Sequence, residues 1–259
     1  MLTTLPNPTI FAHRGSSAHA PENTIAAFEL AVRQAADAIE LDARLSADQE
    51  VVVFHDQTVD RTTNGTGRLG DLPLAALRQL DAGSYFDVAY RGEPIPTLSE
   101  VLEAVGQRIF INIELKNYDT PNDALPEKVA QLVLQHGLSD RVLFSSFHPF
   151  VVRRIHRLLP EVPIGLLIPP GFVGKLVGGW PGKLIVAYQA LHPRLTDVTE
   201  SLVRRAHQAG KRVNVFTITQ PADMRFLFSL AVDGIFTPDP LLARQVLASF
   251  VGAQPPSGK

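Results

Sequence analysis

The chain has 259 residues, 45% of them hydrophobic, and a formal net charge of -2, enough apolar material for one large α/β domain or two small ones. Lys and Arg are scattered, which argues against nucleic acid and against a polybasic membrane patch as partners. The absence of cysteine excludes disulfides, a thiolate nucleophile and Cys-ligated zinc, and leaves oxygen and imidazole as metal ligands.

Residues 1–8 carry neither a charged leader nor a long apolar run, and no later uncharged run is long and unbroken enough to cross a bilayer, so a cytoplasmic protein without stable membrane insertion is expected. Residues 9–13 form a short apolar strand closed by Gly15. Pro21-Glu22-Asn23-Thr24 then starts a helix whose Ile25, Phe28, Ala31 and Val32 recur at helical spacing. A strand over 39–42 follows, with Glu40 and Asp42 two apart and therefore on one face. After the polar break 46–50 the chain returns as Val51-Val52-Val53-Phe54-His55-Asp56. So short a connection cannot cross over to a parallel strand, so the runs form an antiparallel hairpin that sets His55 opposite Leu41, beside both carboxylates. Residues 57–96 are irregular and glycine-rich around one short helix, 74–80, and read as an insertion that caps something rather than a linker.

A regular rhythm follows. Helices over 98–105, 126–135, 150–158, 199–209, 222–230 and 241–250 alternate with strands over 109–116, 142–147, 164–168, 184–190, 213–218 and 234–237, and the tail 254–259 is expected to fray. Together with the two early strands, and without the hairpin's return strand, eight strands alternate with helices. That pattern predicts a TIM (β/α)8 barrel over 1–259, with 57–96 inserted after the second strand and its hairpin.

In such a barrel, chemistry gathers at the C-terminal ends of strands. The first strand ends in His13-Arg14-Gly15, the second in Glu40-Leu41-Asp42, the third in Asn112-Ile113-Glu114-Leu115-Lys116, where the polar residues alternate into the mouth. Glu40, Asp42 and Glu114 then share one small space, and a divalent cation is the simplest neutraliser, with oxygen ligands favouring Mg2+ or Ca2+. His13 and His55 at the same rim suit a pair in which one takes a proton from an attacking oxygen and the other gives one to a leaving alkoxide. Arg14 matches a pair of phosphate oxygens by its fork geometry, and the combination describes phosphodiester cleavage.

Plainer readings stand beside these. Glu40 and Asp42 could be an ion-paired strand end with Arg44 or Lys116 as partner, and Lys116 could serve an acid rather than a phosphate. Asp56 either orients His55 or forms a turn, and Ser145 and Ser146 read as hydroxyls lining the mouth because no base is paired with them. His136, His156 and His207 lie on helices and read as solvated; His19, His148 and His192 lie near strand ends or rim loops, where they meet substrate or bond their own loop. The apolar, glycine-rich stretch 171–180 holds the only tryptophan and reads as a barrel helix or as a mobile lid.

In order and spacing, His13-Arg14-Gly15, Pro21-Glu22-Asn23-Thr24, Glu40-Leu41-Asp42, Val53-Phe54-His55-Asp56, Ile113-Glu114-Leu115-Lys116, Phe144-Ser145-Ser146-Phe147 and Asp233-Gly234-Ile235 resemble the glycerophosphodiester phosphodiesterase family over nearly the whole chain. The resemblance implies a TIM barrel with an insertion after the His-Asp pair, metal ligands Glu40, Asp42 and Glu114, and His13 and His55 as acid and base. It implies hydrolysis of a small-molecule glycerophosphodiester to glycerol 3-phosphate and an alcohol, with the glycerol 2-hydroxyl attacking first to give a cyclic phosphate that water opens. Two motifs depart from the family's pattern. Phe216 stands where tryptophan is common, keeping an apolar wall for the glycerol backbone, and Thr219 stands where asparagine is frequent; Thr237-Pro238-Asp239-Pro240 alters a rim loop. Two alternatives are a phospholipase acting on lysophospholipid or phosphoinositide head groups, suggested by 171–180, and a non-catalytic phosphate-binding barrel. Nothing in the sequence indicates the oligomeric state.

Overall fold

The computed structural model describes residue 2, residues 4–169 and residues 188–252. Among the described residues nine strands form one sheet: β1 (Thr9–His13), β2 (Ala38–Leu45), β3 (Val51–Val53), β4 (Phe110–Leu115), β5 (Val142–Ser146), β6 (Ile164–Leu167), β7 (Ala190–His192), β8 (Arg212–Val215) and β9 (Gly234–Thr237). All but β3 run parallel, and β1 closes them into the expected eight-stranded TIM barrel by pairing with both β2 and β9. The helices described are α1 (Ile25–Arg33), α2 (Leu74–Leu77), α3 (Leu98–Val105), α4 (Leu125–Gln135), α5 (Pro149–Leu158), α6 (Glu200–Gln208), α7 (Pro221–Ser229) and α8 (Pro240–Gly252).

Period-two alternation builds the layers. Ile39, Leu41 and Ala43 of β2 and Ile111, Ile113 and Leu115 of β4 are buried outward, in one cluster with Phe28 of α1, Leu102 of α3 and Val129 of α4. A second outer cluster joins Ile10, Val213 and Ile235 to α6, α7 and α8. The opposite faces meet inside the barrel, where Phe11, Ala38, Leu143 and Phe236 fill the space, with Phe11 and Phe236 stacked at 4.5 Å. Phe28 is fully buried, and its truncation to alanine would cost about 3–5 kcal/mol.

Local signals set the helix starts. Thr24 caps α1 by accepting from Ala27 N at 3.3 Å, and Thr97 with Glu100 forms a reciprocal capping box at α3. The β1–α1 turn places Arg14 and Gly15 at φ +58° and +83°, and a Cβ on Gly15 would lie 2.7 Å from the Ala27 backbone, so that position admits only glycine.

The hairpin has the expected register. Ala43 pairs with Val53, and Phe54 N donates to Asp42 O at 2.8 Å, which brings His55 opposite Leu41 just past the end of the ladder. Residues 57–96 contain no barrel strand and pack their own small core of Val59, Leu69, Leu77, Ala82 and Ile95 on Val52 and Phe54. The helix expected over 74–80 is a single turn, Leu74–Leu77. The strand expected over 184–190 differs more: Ala190–His192 forms β7, because Ala190 pairs with Gly165 and Leu191 with Leu166, while residues 184–187 lie outside the described residues. The stretch 171–180, on which the lid and phospholipase readings rested, and the tail 254–259 also lie outside them.

Candidate active site

Strand register decides which side chains meet. His13 pairs with Glu40, Glu40 with Asn112, Asp42 with Glu114, and Glu114 with Ser145, so β1, β2, β4 and β5 present one continuous polar wall at the barrel mouth. His13, Arg14, Glu40, His55, Glu114, Lys116 and Phe216 all line one cavity of about 210 Å3. Asp42 lies behind that lining, 1% exposed. Every residue singled out from the sequence as a site residue therefore falls in this cavity or directly behind it.

The carboxylates of Glu40, Asp42 and Glu114 are buried and offer oxygens within 4.8 Å of one another. Two cations balance part of their charge. Lys116 Nζ lies 3.3 Å from Asp42 and 3.2 Å from Glu114, and Arg14 lies 3.4 Å from Asp42 and 2.9 Å from Glu22. Of the two alternative partners for the acids, Lys116 is the one observed, since Arg44 instead donates to the backbone oxygens of His55 and Lys116. Glu40 is the under-satisfied member: its Oε1 is buried with no hydrogen-bond partner, and burial together with the Asp42 and Glu114 charges pushes it well above the usual carboxylate range. Burial opposes ionisation of Asp42 too, but Lys116 and Arg14 outweigh it and hold that carboxyl below its usual range. An orphaned carboxylate oxygen in an oxygen-only cluster fits a hard divalent cation.

The imidazoles flank this cluster. His13 Nε2 is 3.8 Å from Glu40 Oε2, and burial, then the Arg14 charge, lower its pKa to about 3. His55 is lowered as well, by burial first, while Asp42 and Asp56 pull the other way. Asp56 is the orienting group rather than a mere turn-former: its Oδ1 lies 2.6 Å from His55 Nδ1, which leaves Nε2 as the free ring nitrogen.

Glu22, Asn23, Arg61 and Tyr118 carry no role from the sequence, and all contact this machinery. Asn23, at φ +59°, donates to Asp42 Oδ2 at 2.8 Å and accepts from Asp42 N at 3.3 Å. Its place in a Pro-Glu-Asn-Thr run, directly before the helix cap, was the available signal. Arg61 joins Asp56 at 2.6 Å to Glu22 at 2.6 and 2.9 Å, and it comes from the 57–96 segment, whose spacing carries no hint of the contact. Tyr118 bonds Glu114 and begins an edge-to-face aromatic chain through Phe147 to Phe216, each step 5.9 Å.

The remaining histidines sort by environment. His192 is fully buried on the cavity wall, 3.2 Å from Asn214, whereas His19 pairs with Asp239 of the rim loop at 3.2 Å. His136 and His207 are not simply solvated: they bond Ser99 at 2.9 Å and Asp233 at 2.7 Å, because each helix turns that face toward a polar neighbour.

A sequence model of the glycerophosphoryl diester phosphodiesterase family matches residues 13–242. The chain belongs to this family. It is 39% identical over 232 residues to a glycerophosphodiester phosphodiesterase of Caldanaerobacter subterraneus subsp. tengcongensis, covering 89% of this chain and 94% of that relative. In structure the phosphodiesterase is similar to one from Oleispira antarctica solved with the product sn-glycerol-3-phosphate, with a TM-score of 0.85, 33% identity, and 93% and 97% of the two chains covered. It is also similar to a glycerophosphodiester phosphodiesterase from Agrobacterium tumefaciens, with a TM-score of 0.80, 32% identity, and 92% and 99% covered. Membership sets aside the non-catalytic barrel. Among the described residues of the phosphodiesterase, no helix is long and apolar enough to cross a membrane.

Proposed function

We propose that this phosphodiesterase hydrolyses small-molecule glycerophosphodiesters to glycerol 3-phosphate and an alcohol, with one divalent cation, Mg2+ or Ca2+, held by Glu40, Asp42 and Glu114, and with His13 and His55 as its proton-transfer pair. The observation that carries this reading is the cluster of three buried carboxylates, within 4.8 Å, sharing a cavity with two imidazoles. When bound, the cation supplies Lewis-acid polarisation of a phosphoryl oxygen.

The protein's own groups do the rest. One imidazole accepts the proton of the attacking oxygen and the other protonates the leaving alkoxide. Asp56 holds the His55 ring so that Nε2 is the nitrogen that exchanges the proton, and Arg14 and Lys116, each already braced by carboxylates, meet the phosphoryl oxygens from the cavity wall. Phe216 with Phe147 and Tyr118 offers the apolar wall against which the glycerol carbons pack. Residues 57–96 act as the cap of the one catalytic unit, 1–259, a reading supported by Arg61 bonding Glu22 and Asp56 and by Tyr85 accepting from Glu22 N at 3.0 Å.

Exhaustive chelation of the purified protein, with glycerol 3-phosphate release as readout, should abolish turnover, and Mg2+ or Ca2+ should restore it. His13→Ala and His55→Ala should each abolish turnover while leaving cation binding, followed by calorimetry, largely intact, whereas Glu114→Ala should lose both. Full activity after chelation refutes the metal assignment, and near-normal kcat in His55→Ala refutes the paired imidazoles.

A further inference from the structure

Among the described residues, three cationic side chains line the catalytic cavity, Arg14, Lys116 and Arg194, and they are not equivalent. Arg14 and Lys116 are each shared between two carboxylates. Arg194, by contrast, is exposed and makes no ion pair among the described residues. Asp197, the nearest acid in sequence, does not pair with it, and residues 170–187 contain neither Asp nor Glu to do so.

The Arg194 backbone is fixed in place. It follows β7 directly and bridges to Phe216, with Phe216 N donating to Pro193 O at 3.1 Å and Leu195 N to Phe216 O at 3.3 Å. Around the closed barrel, β7 lies four strands from β2 in either direction, so Arg194 stands across the mouth from Glu40 and Asp42. There its side chain borders a second depression of about 340 Å3, formed with Leu195, Thr196, Phe216 and Thr217, which shares Arg194, Phe216 and Thr217 with the catalytic cavity. Among the described residues no carboxylate lines that depression.

The catalytic cavity, about 210 Å3 and walled by Leu167, His192 and Phe236, has room for the small glycerol phosphate end of a diester. The alcohol end must then lie outward, where the second depression continues the cavity. A cation that no acid neutralises, placed there, attracts negative charge, and a guanidinium fork suits the oxygens of a phosphate monoester.

We propose that Arg194 and this depression form a subsite for an anionic group on the leaving alcohol, so that the enzyme prefers glycerophosphodiesters whose alcohol carries a phosphate monoester; the assignment rests on the reaction proposed above. The test compares kcat/KM for glycerophosphoinositol 4-phosphate, glycerophosphoinositol and glycerophosphocholine, in the metal-loaded wild type and in Arg194→Met and Arg194→Lys. In the wild type the 4-phosphate should exceed its unphosphorylated counterpart by about tenfold or more. Arg194→Met should bring that ratio close to one and Arg194→Lys should keep part of it, and in the wild type the ratio should shrink as salt is raised. A wild-type ratio of one or less overturns the subsite. An equal loss by Arg194→Met on all three diesters also overturns it, because Arg194 would then serve the scissile phosphate common to them. Glycerophosphocholine turnover by the wild type in the same assay separates failure of the subsite from failure of the proposed reaction.

Discussion

Arg61→Ala should slow the chemical step although Arg61 does not line the cavity. Its Nε donates to Asp56 Oδ2 at 2.6 Å, and its Nη atoms to both oxygens of Glu22 at 2.6 and 2.9 Å, which closes a chain from Arg14 through Glu22, Arg61 and Asp56 to His55. Charge-assisted bonds of this kind are worth about 1.5–3 kcal/mol each when shielded. The Arg61 side chain is 49% exposed, so solvent screening reduces the whole contribution to about 1–2 kcal/mol, or roughly 5–30-fold in rate. The loss should fall on kcat with KM little changed, because Arg61 acts through Asp56 on the orientation of His55 and makes no substrate contact. Removing this cation also frees the Asp56 charge to favour the protonated ring, so the pH profile limb belonging to His55 should move to higher pH. Arg61→Lys should recover little, since one ammonium cannot bridge two carboxylates in the same geometry. Steady-state kinetics with glycerophosphocholine from pH 5 to 9 measures all of this; a kcat within twofold of wild type and an unmoved pH profile would show that the chain of contacts does not position His55.

Two further outcomes probe the barrel interior. A Cβ on Gly165 would lie 2.3 Å from the His192 ring, so Gly165→Ala should lower stability by about 1–3 kcal/mol in urea titrations, and a wild-type midpoint would mean that the ring has room to move. His192 is fully buried, and burial lowers its pKa from 6.5 to about 3. The folded chain therefore keeps this ring neutral where the unfolded chain protonates it. The associated stability is complete above pH 6.5 and falls as pH drops toward 3, amounting to about 2 kcal/mol lost by pH 5. Unfolding free energies of His192→Gln should decline less steeply than wild type between pH 7 and 5, and equal slopes would refute the buried neutral ring.

Sequence periodicity and local chemistry determined much of this protein. The alternation in Glu40-Leu41-Asp42 and in Asn112 to Lys116, the short turn that returns the chain to His55, and the eightfold strand and helix rhythm are consequences of neighbours within a few residues, and each is legible without coordinates. The displaced β7 is hard to read because its place is set by pairing with β6, about 25 positions away, whereas the single turn Leu74–Leu77 keeps local bonds and ends early within the small core of 57–96. The same division runs through the site. That carboxylates and imidazoles face one mouth follows from strand direction, but the partners of each do not. Only the closed barrel decided that, among the described residues, Glu40 keeps an unbonded oxygen while Lys116 serves Asp42 and Glu114, that Arg61 ties Glu22 to Asp56, and that Arg194 stands without an ion pair across the mouth. The deciding contacts, such as Lys116 with Asp42 and Arg61 with Glu22, join residues tens of positions apart, set by barrel closure and inter-strand register, and a local pattern cannot specify them because pairing energies depend on distance and burial in space.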